Sequence, residues 1–475
     1  MAAEAGLPDG LVAVVKRDCP TCTLVAPVLA ELRKGGSLTV YSQDDPSFPE
    51  GADPVDDTSL DISFALDVEI VPTLVRIAAG RVIDRTVGWS REAWRAMTGV
   101  RDLGADLPEH RPGCGSRSVE PDVLVARAAR GLLSRHVELG DAEDDAEAAF
   151  ERGWTDGLPV VPPTPERVAR MLDGTTRDPQ EVVAVVPPDL VAASVEKVAV
   201  NAVLAGCRPE YLPVVLACVE AACTTEFNMH GLLATTYFAS PVIVVNGPVA
   251  RAIGMNSGGN ALGQGNRANA TVGRALNLVV RNVGGGKPGG VDRATLGNPG
   301  KYAFCFAEAE ATSPWESLSV ERGFAEASST VTLFGGEGPR GVIDQLSREP
   351  DSLARSFAMC LRTVAHPKLA LAFDAMLIVS PEHARVFHEA GWTKQKLRER
   401  LAELLTIPGT EMVRGAGDCA EGLPEAFAGS PIPKFRPDGL LIVHAGGTAG
   451  LFSAIVGGWV AGDTGSQPVT KEVGT

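Results

Sequence analysis

Five apolar residues, Leu11 to Val15 (LVAVV), run almost directly into Cys19-Pro20-Thr21-Cys22, and an apolar-periodic stretch continues to about Arg33. A strand that ends on a CxxC, with the second cysteine inside the first turn of a helix, places both thiols at the helix N-terminus. Free N–H groups and positive partial charge there stabilise a thiolate and lower the first cysteine's pKa. The two-residue spacer lets the second thiol reach the first and close a disulfide. A zinc site needs a second CxxC or Cys/His pair close by, and none follows in the next ninety residues.

The segments after the motif read in order as a strand (38–41), an acidic turn-rich stretch (42–60), a short helix (62–67), a strand opening at Val71-Pro72-Thr73, its hairpin partner from Arg81, and a closing helix (90–98). This βαβαββα order, the CxxC, Ala26-Pro27 and Ile70-Val71-Pro72-Thr73 resemble the thioredoxin family over roughly the first hundred residues. The resemblance implies a reversible Cys19–Cys22 disulfide and a cis Pro72 beside Cys19 that shapes the groove where a partner's cysteine docks. It also implies a thioredoxin reductase or another thiol reductant as electron donor. Two positions depart from the family. Asp18 replaces the usual Trp, and its charge is expected to oppose a thiolate at Cys19. The buried acid of the preceding strand is absent from LVAVV.

A chain of 475 residues suggests about three domains. Hydrophobic residues make up 45% and charged residues 21%, an ordinary globular balance, so the chain can bury a core. A net charge of −16 repels phosphates and anionic membranes, so neither nucleic acid nor a membrane is expected as partner. A small molecule or another protein fits better, and a homo-oligomer is left open. The start carries no basic or apolar leader. Nine scattered cysteines fit a reducing cytoplasm, not a secreted disulfide framework. Residues 439–462 lack charge, but seven glycines and His444 interrupt them, so they read as a strand, a Gly turn and a buried helix.

Three regions are expected: residues 1–100 as the redox domain, 101–150 as a linker with an acidic helix at 138–151, and 151–475 as a larger α/β domain. Apolar runs at 241–246, 331–334, 374–379 and 439–443 alternate with helical patterns, which predicts a mainly parallel sheet. No internal repeat is evident. In the linker, Cys114 lies between two glycines; Ser116 is placed to hydrogen-bond its thiolate, and Arg111 and Arg117 to supply positive charge.

In the larger domain, Asn228, His230, Asn246, Asn256, Asn260, Gln264, Asn266 and Arg267 are concentrated around one Gly-rich loop that feeds a helix. Amides there can bind carbonyls, carboxylates or an oxyanion. These residues are expected to line one concave substrate site. Gly263-Gln264-Gly265-Asn266-Arg267-Ala268 fits a dinucleotide loop only formally, since no strand directly precedes it and no ribose-binding acid follows. No cofactor is expected. Cys305, Glu308 and His230 have metal-ligand chemistry, but their spacing demands no metal. His383 and His388 read as surface or packing residues.

The runs FNMHG, VVNGP, IGMNSGGNALGQGNRANATVGRA, PGKYAFC and SPWESLSVERGF resemble a family of bacterial proteins named for a selenocysteine-Gly-Ser-Cys (UGSC) motif, over most of residues 110–475. Cys114-Gly115-Ser116 matches its first three positions, and Arg117 replaces the fourth, resolving cysteine. The resemblance implies a redox or nucleophilic Cys114, with the resolving thiol supplied by the CxxC. The expected function is a thiol-dependent oxidoreductase in which the CxxC reduces a Cys114 that serves a small polar or acidic substrate. One alternative is a lyase or hydrolase using the amide-lined pocket, with the redox domain protective. Another is a thiol-exchange adaptor for partner proteins.

Overall fold

The computed structural model describes residues 9–36, 38–128, 131–135, 137, 139 and 144–474. It divides into two compact units, Met1–Gly131 and Leu132–Thr475, both of α/β class. The leader residues 1–8, and 138 and 140–143 of the expected acidic helix, lie outside the described residues; the rest of that segment forms a helix at Asp145–Glu151.

In the first unit, β1 (Gly10–Val15) leads into α1 (Pro20–Lys34), which starts where Cys19 adopts the N-cap and Pro20 presets the first helical φ. Val25, Val28, Leu29 and Leu32 recur at helical spacing and are buried, so one face of α1 packs into the core. Next come β2 (Leu38–Ser42), β3 (Val55–Asp56), α2 (Asp61–Ala65), β4 (Ile70–Val71), β5 (Thr73–Ala78), β6 (Arg81–Val87), β7 (Trp89–Ser90), α3 (Arg91–Thr98), β8 (His110–Arg111), β9 (Cys114–Gly115) and α4 (Pro121–Ala128). The sheet order is β3-β2-β1-β5-β6, with β1 parallel to β2 and antiparallel to β5. Val71-Pro72 is a cis bond.

Residues 108–118 are not the free linker expected from their composition. They form a strap docked on this unit. Trp89 Nε1 donates to Pro108 O at 2.7 Å, β7 pairs with β8, Thr21 Oγ1 donates to Pro112 O at 2.6 Å, and β9 pairs antiparallel with β4. Polar composition predicts a linker when each donor is satisfied by water; here the strap's backbone finds protein partners instead.

The second unit comprises α5 (Asp145–Glu151), α6 (Pro165–Leu172), β10 (Val182–Val186), β11 (Val191–Ser194), α7 (Val195–Ala205), α8 (Leu212–Ala222), α9 (Met229–Ala234), β12 (Ser240–Asn246), α10 (Pro248–Ala252), α11 (Arg267–Asn282), β13 (Cys305–Ala307), α12 (Leu318–Glu321), β14 (Thr330–Gly336), β15 (Arg340–Ile343), α13 (Pro350–Leu361), β16 (Phe373–Val379), α14 (Pro381–Glu389), α15 (Lys394–Leu404), β17 (Thr406–Pro408), α16 (Gly409–Met412), β18 (Pro431–Pro433), β19 (Leu440–His444), β20 (Phe452–Val460) and β21 (Val469–Glu472). The expected mainly parallel sheet is instead mixed. Only β12–β13 and β16–β19 pair in parallel; β14, β15, β20 and β21 pair antiparallel. Apolar runs report burial on both faces, which helix-covered antiparallel strands share with parallel ones. The buried helix expected after the Gly turn is strand β20.

Topology reveals a repeat that the residues conceal. β12-α10-α11-β13-β14 and β16-α14-α15-β19-β20 run through the same order. In both, the second strand is parallel and the third antiparallel to the first. The two halves join edge to edge at Gly336–Gly458, and each hands its next strand to the other: β15 pairs with β20, β21 with β14. Val242, Val244, Met376, Ile378, Leu441 and Val443 share one core between the sheet faces. The opposite faces pack into separate cores with α7, α8 and α11 on one side and α13, α14 and α15 on the other. Among the described residues, no helix is long and apolar enough to cross a membrane.

Candidate functional site: a three-thiol centre

Cys19, at the N-cap of α1, is 1% exposed and Cys22, one turn inside, is fully buried. The Cys22 backbone N–H donates to Cys19 Sγ at 3.3 Å, and that sulfur lies 3.6 Å from Val71 O, the carbonyl that precedes Pro72. Cys114 sits opposite Val71 in the β4–β9 register, beside the residue whose carbonyl lies against Cys19 Sγ, and its thiol helps to lower the Cys19 pKa. The strap thereby brings three thiols of distant sequence to one helix N-terminus.

Their proton affinities diverge. Cys19 is pulled from 9.0 down to about 5, first by the hydrogen bond from Cys22 and then, against its burial, by the thiol of Cys114 and the backbone N–H groups of Cys22 and Thr21. Burial, reinforced by the Cys19 charge, pushes Cys22 far up; burial and Cys19 also push Cys114 up. At neutral pH the site holds one thiolate and two S–H donors. The opposition expected from Asp18 is outweighed, because direct S–H and N–H donors act at contact distance.

The support expected for Cys114 is corrected in two respects. Ser116 does not reach the sulfur: its hydroxyl accepts from Gln43 Nε2 at 2.6 Å and pairs with Ser118 Oγ at 2.6 Å. Arg117 donates from its backbone to Gln43 Oε1 and from its guanidinium to Gln43 O, and its Nε lies 3.7 Å from Glu120. Burial and the neighbouring Cys19 outweigh the small lowering that Lys16 exerts on Cys114. Ser116 and Arg117 therefore moor the strap through buried Gln43, a residue that sequence reading missed because nothing local marks it. Thr21 was read only as a spacer; its hydroxyl holds the strap over the thiols. Gly113 is required there, since a Cβ would stand 2.3 Å from Ile70 Cγ2 and 2.6 Å from Val71 O.

In the second unit, the amides expected to line one substrate site have other partners, except Gln264, which is exposed at the surface. Asn228 caps α9, accepting from Gly231 N at 3.0 Å and donating to Gly465 O at 3.0 Å; His230 is exposed. Asn246 is buried and donates to Glu308 at 2.7 Å and Glu310 at 2.8 Å. Asn256 bonds Gly259 O, Asn260 bonds Gln264 O, Asn266 caps α11 and bonds Gly254 O, and Arg267 bonds Gly206 O. Met255 and Leu262 anchor the loop to the cores on either side, and its own side-chain amides hold the turns between them. Of these residues, Asn260 lines a cavity, discussed below. A cavity of about 450 Å³ between α11 and residues 296–302 is lined instead by groups such as Asp156, Arg281, Asn298 and Lys301. Cys305 is buried in the helix-facing core and Glu308 is buried beside Asn246, while His230 is at the surface. Among the described residues, no three His, Cys, Asp or Glu side chains are grouped to hold a metal ion.

No protein-family model, curated protein or solved structure matches this chain.

Proposed function

We propose that the first unit is a thioredoxin-like thiol–disulfide exchange centre in which Cys114 is a built-in exchange partner of Cys19. One observation carries this reading: Cys114 is partly exposed and pairs with Val71, whose carbonyl lies 3.6 Å from Cys19 Sγ, while Cys19 and Cys22 are buried. An external disulfide RSSR therefore meets Cys114 first. Cys114 attacks it as Cys19 accepts the Cys114 proton. This gives Cys114–SR and RS⁻, and RS⁻ takes the proton and leaves as RSH. The Cys19 thiolate attacks the Cys114 sulfur, forming Cys19–Cys114 and releasing a second RS⁻. Cys22, deprotonated by that anion, attacks Cys19, closes Cys19–Cys22 and returns Cys114, which recovers a proton from solvent. Two thiols are oxidised and one disulfide is reduced; an external dithiol reductant resets the centre. Arg117, standing where a resolving cysteine would be, leaves that role to the CxxC. A small acidic substrate in the second unit is not part of this reading, because most of the amides expected to bind it are engaged within the fold.

The test is Cys22→Ser treated with oxidised glutathione. Non-reducing peptide mapping should find a trapped Cys19–Cys114 disulfide, where the wild type yields Cys19–Cys22. Glutathione adducts without any Cys19–Cys114 peptide would overturn the proposal.

A further inference from the structure

We propose that Ser453 and His383 form a nucleophile–base pair in the second unit that cleaves carboxylic esters of small acyl groups. Ser453, near the start of β20, places Oγ 2.8 Å from His383 Nδ1, and His383 Nε2 lies 3.0 Å from Asp344 O. A backbone carbonyl can only accept, so Nε2 carries the proton and Nδ1 offers a lone pair to the serine hydroxyl. Nucleophile, base and orienting group thus stand in hydrogen-bond series. The Ser380 N–H also donates to Ser453 Oγ at 3.2 Å, which stabilises negative charge on that oxygen.

The pair borders a chamber. A cavity of about 410 Å³ is lined by Ser453, Ser380, Asn260 and the glycine-rich turn 446–450, with Leu262 and Ile378 among its apolar walls. Among the described residues, the N–H groups of Gly447, Ala449 and Gly450 make no backbone hydrogen bond, and these residues line the same pocket as Ser453. Ser380 is 6% exposed, and its hydroxyl has no partner although it holds the N-cap of α14.

The repeat shows that the fold does not require this pair. Pro381 and Pro248 open equivalent helices, and the residue two positions on is His383 in one half and Ala250 in the other. Ser453 precedes Ala454, the partner of Ile378; in the first half Val331 precedes Thr332, the partner of Val244. The same scaffold is built there with Ala250 and Val331. His383 is fully buried and its ring meets Phe357 edge-on at 5.5 Å. Burial draws its pKa below the ordinary 6.5, against the Asp344 carbonyl and the carboxylates of Asp344 and Glu382, so the ring is a neutral base at pH 7.

In the reaction, Ser453 Oγ bonds the acyl carbon as its proton passes to Nδ1. The ester C–O bond breaks, and the alkoxide leaves with that proton. Water, deprotonated by His383, then attacks the acyl-serine; the acyl–Oγ bond breaks, a carboxylic acid leaves, and Nδ1 returns the proton to Ser453 Oγ.

The test treats the full chain with a fluorophosphonate probe, followed by intact-mass and peptide mapping. A single adduct on Ser453 is expected, absent in Ser453→Ala and at least a hundredfold slower in His383→Gln, with melting temperatures unchanged. No adduct on folded wild type, or an undiminished rate in His383→Gln, would overturn the proposal. If His383→Gln does not fold, the pH profile of wild-type labelling decides. It should fall through one group titrating below 6.5; a flat profile between pH 4 and 8 overturns it.

Discussion

Cys19 and Cys22 are separated by two residues and occupy the same helix terminus, yet one is a thiolate and the other holds its proton. The difference arises from position: Cys19, at the N-cap, accepts from the Cys22 backbone N–H, whereas burial dominates at Cys22, one turn inside the helix. Because the folded pKa of Cys19 lies below its unfolded value of 9.0, its contribution to stability is complete above pH 9. That contribution is lost as pH falls toward the folded value of about 5. Reduced wild type should therefore gain stability over Cys19→Ser between pH 5 and 9 in urea unfolding. The thiolate absorbance near 240 nm should persist down to about pH 5 and then vanish. An ultraviolet titration centred near 9 would show that the donors do not act on this sulfur.

At the scale of elements, the strap decides who reaches the thiols. Gly113 passes so close to Ile70 and Val71 that any side chain displaces β9 from β4; Gly88 admits the same strap from its other side, where a Cβ would stand 2.9 Å from Gly113 N. Gly113→Val should destabilise the first unit by about 1–3 kcal/mol, the usual penalty for overpacking. It should also raise iodoacetamide labelling of Cys19 at least tenfold, read by peptide mass. Unchanged labelling with intact stability would mean that the strap does not shield Cys19. α1 and its CxxC are legible in the sequence because their signals are local, and Pro72 is legible through the thioredoxin resemblance. The strap within the expected linker 101–150 is not, because it has no periodicity: its two-residue strands pair with segments some twenty to forty-five positions away.

At the scale of the whole molecule, each unit has its own core. Leu29 belongs to the first and Phe357 to the helix-covered second half of the other. Leu29→Ala should cost about 2–5 kcal/mol and Phe357→Ala about 3–5 kcal/mol. In calorimetry of the full chain, each should lower a different transition and leave the other in place. If either shifts both equally, the units unfold as one cooperative body.

The α/β class, the strand–CxxC–helix start and the apolar runs that form β12, β14, β16 and β19 are legible in the sequence alone. These rest on spacing, burial pattern and the chemistry of single residues, which a linear chain carries openly. Strand direction, the repeat, the strap and the partners of each polar group emerge only once the chain is folded. Apolar runs are blind to direction. The two halves keep the same topology while Ala250 and Val331 stand where the other half has His383 and Ser453. An amide or imidazole has the same formula whether it caps a helix, holds a loop together or faces a cavity; what surrounds it in space fixes which of these it does.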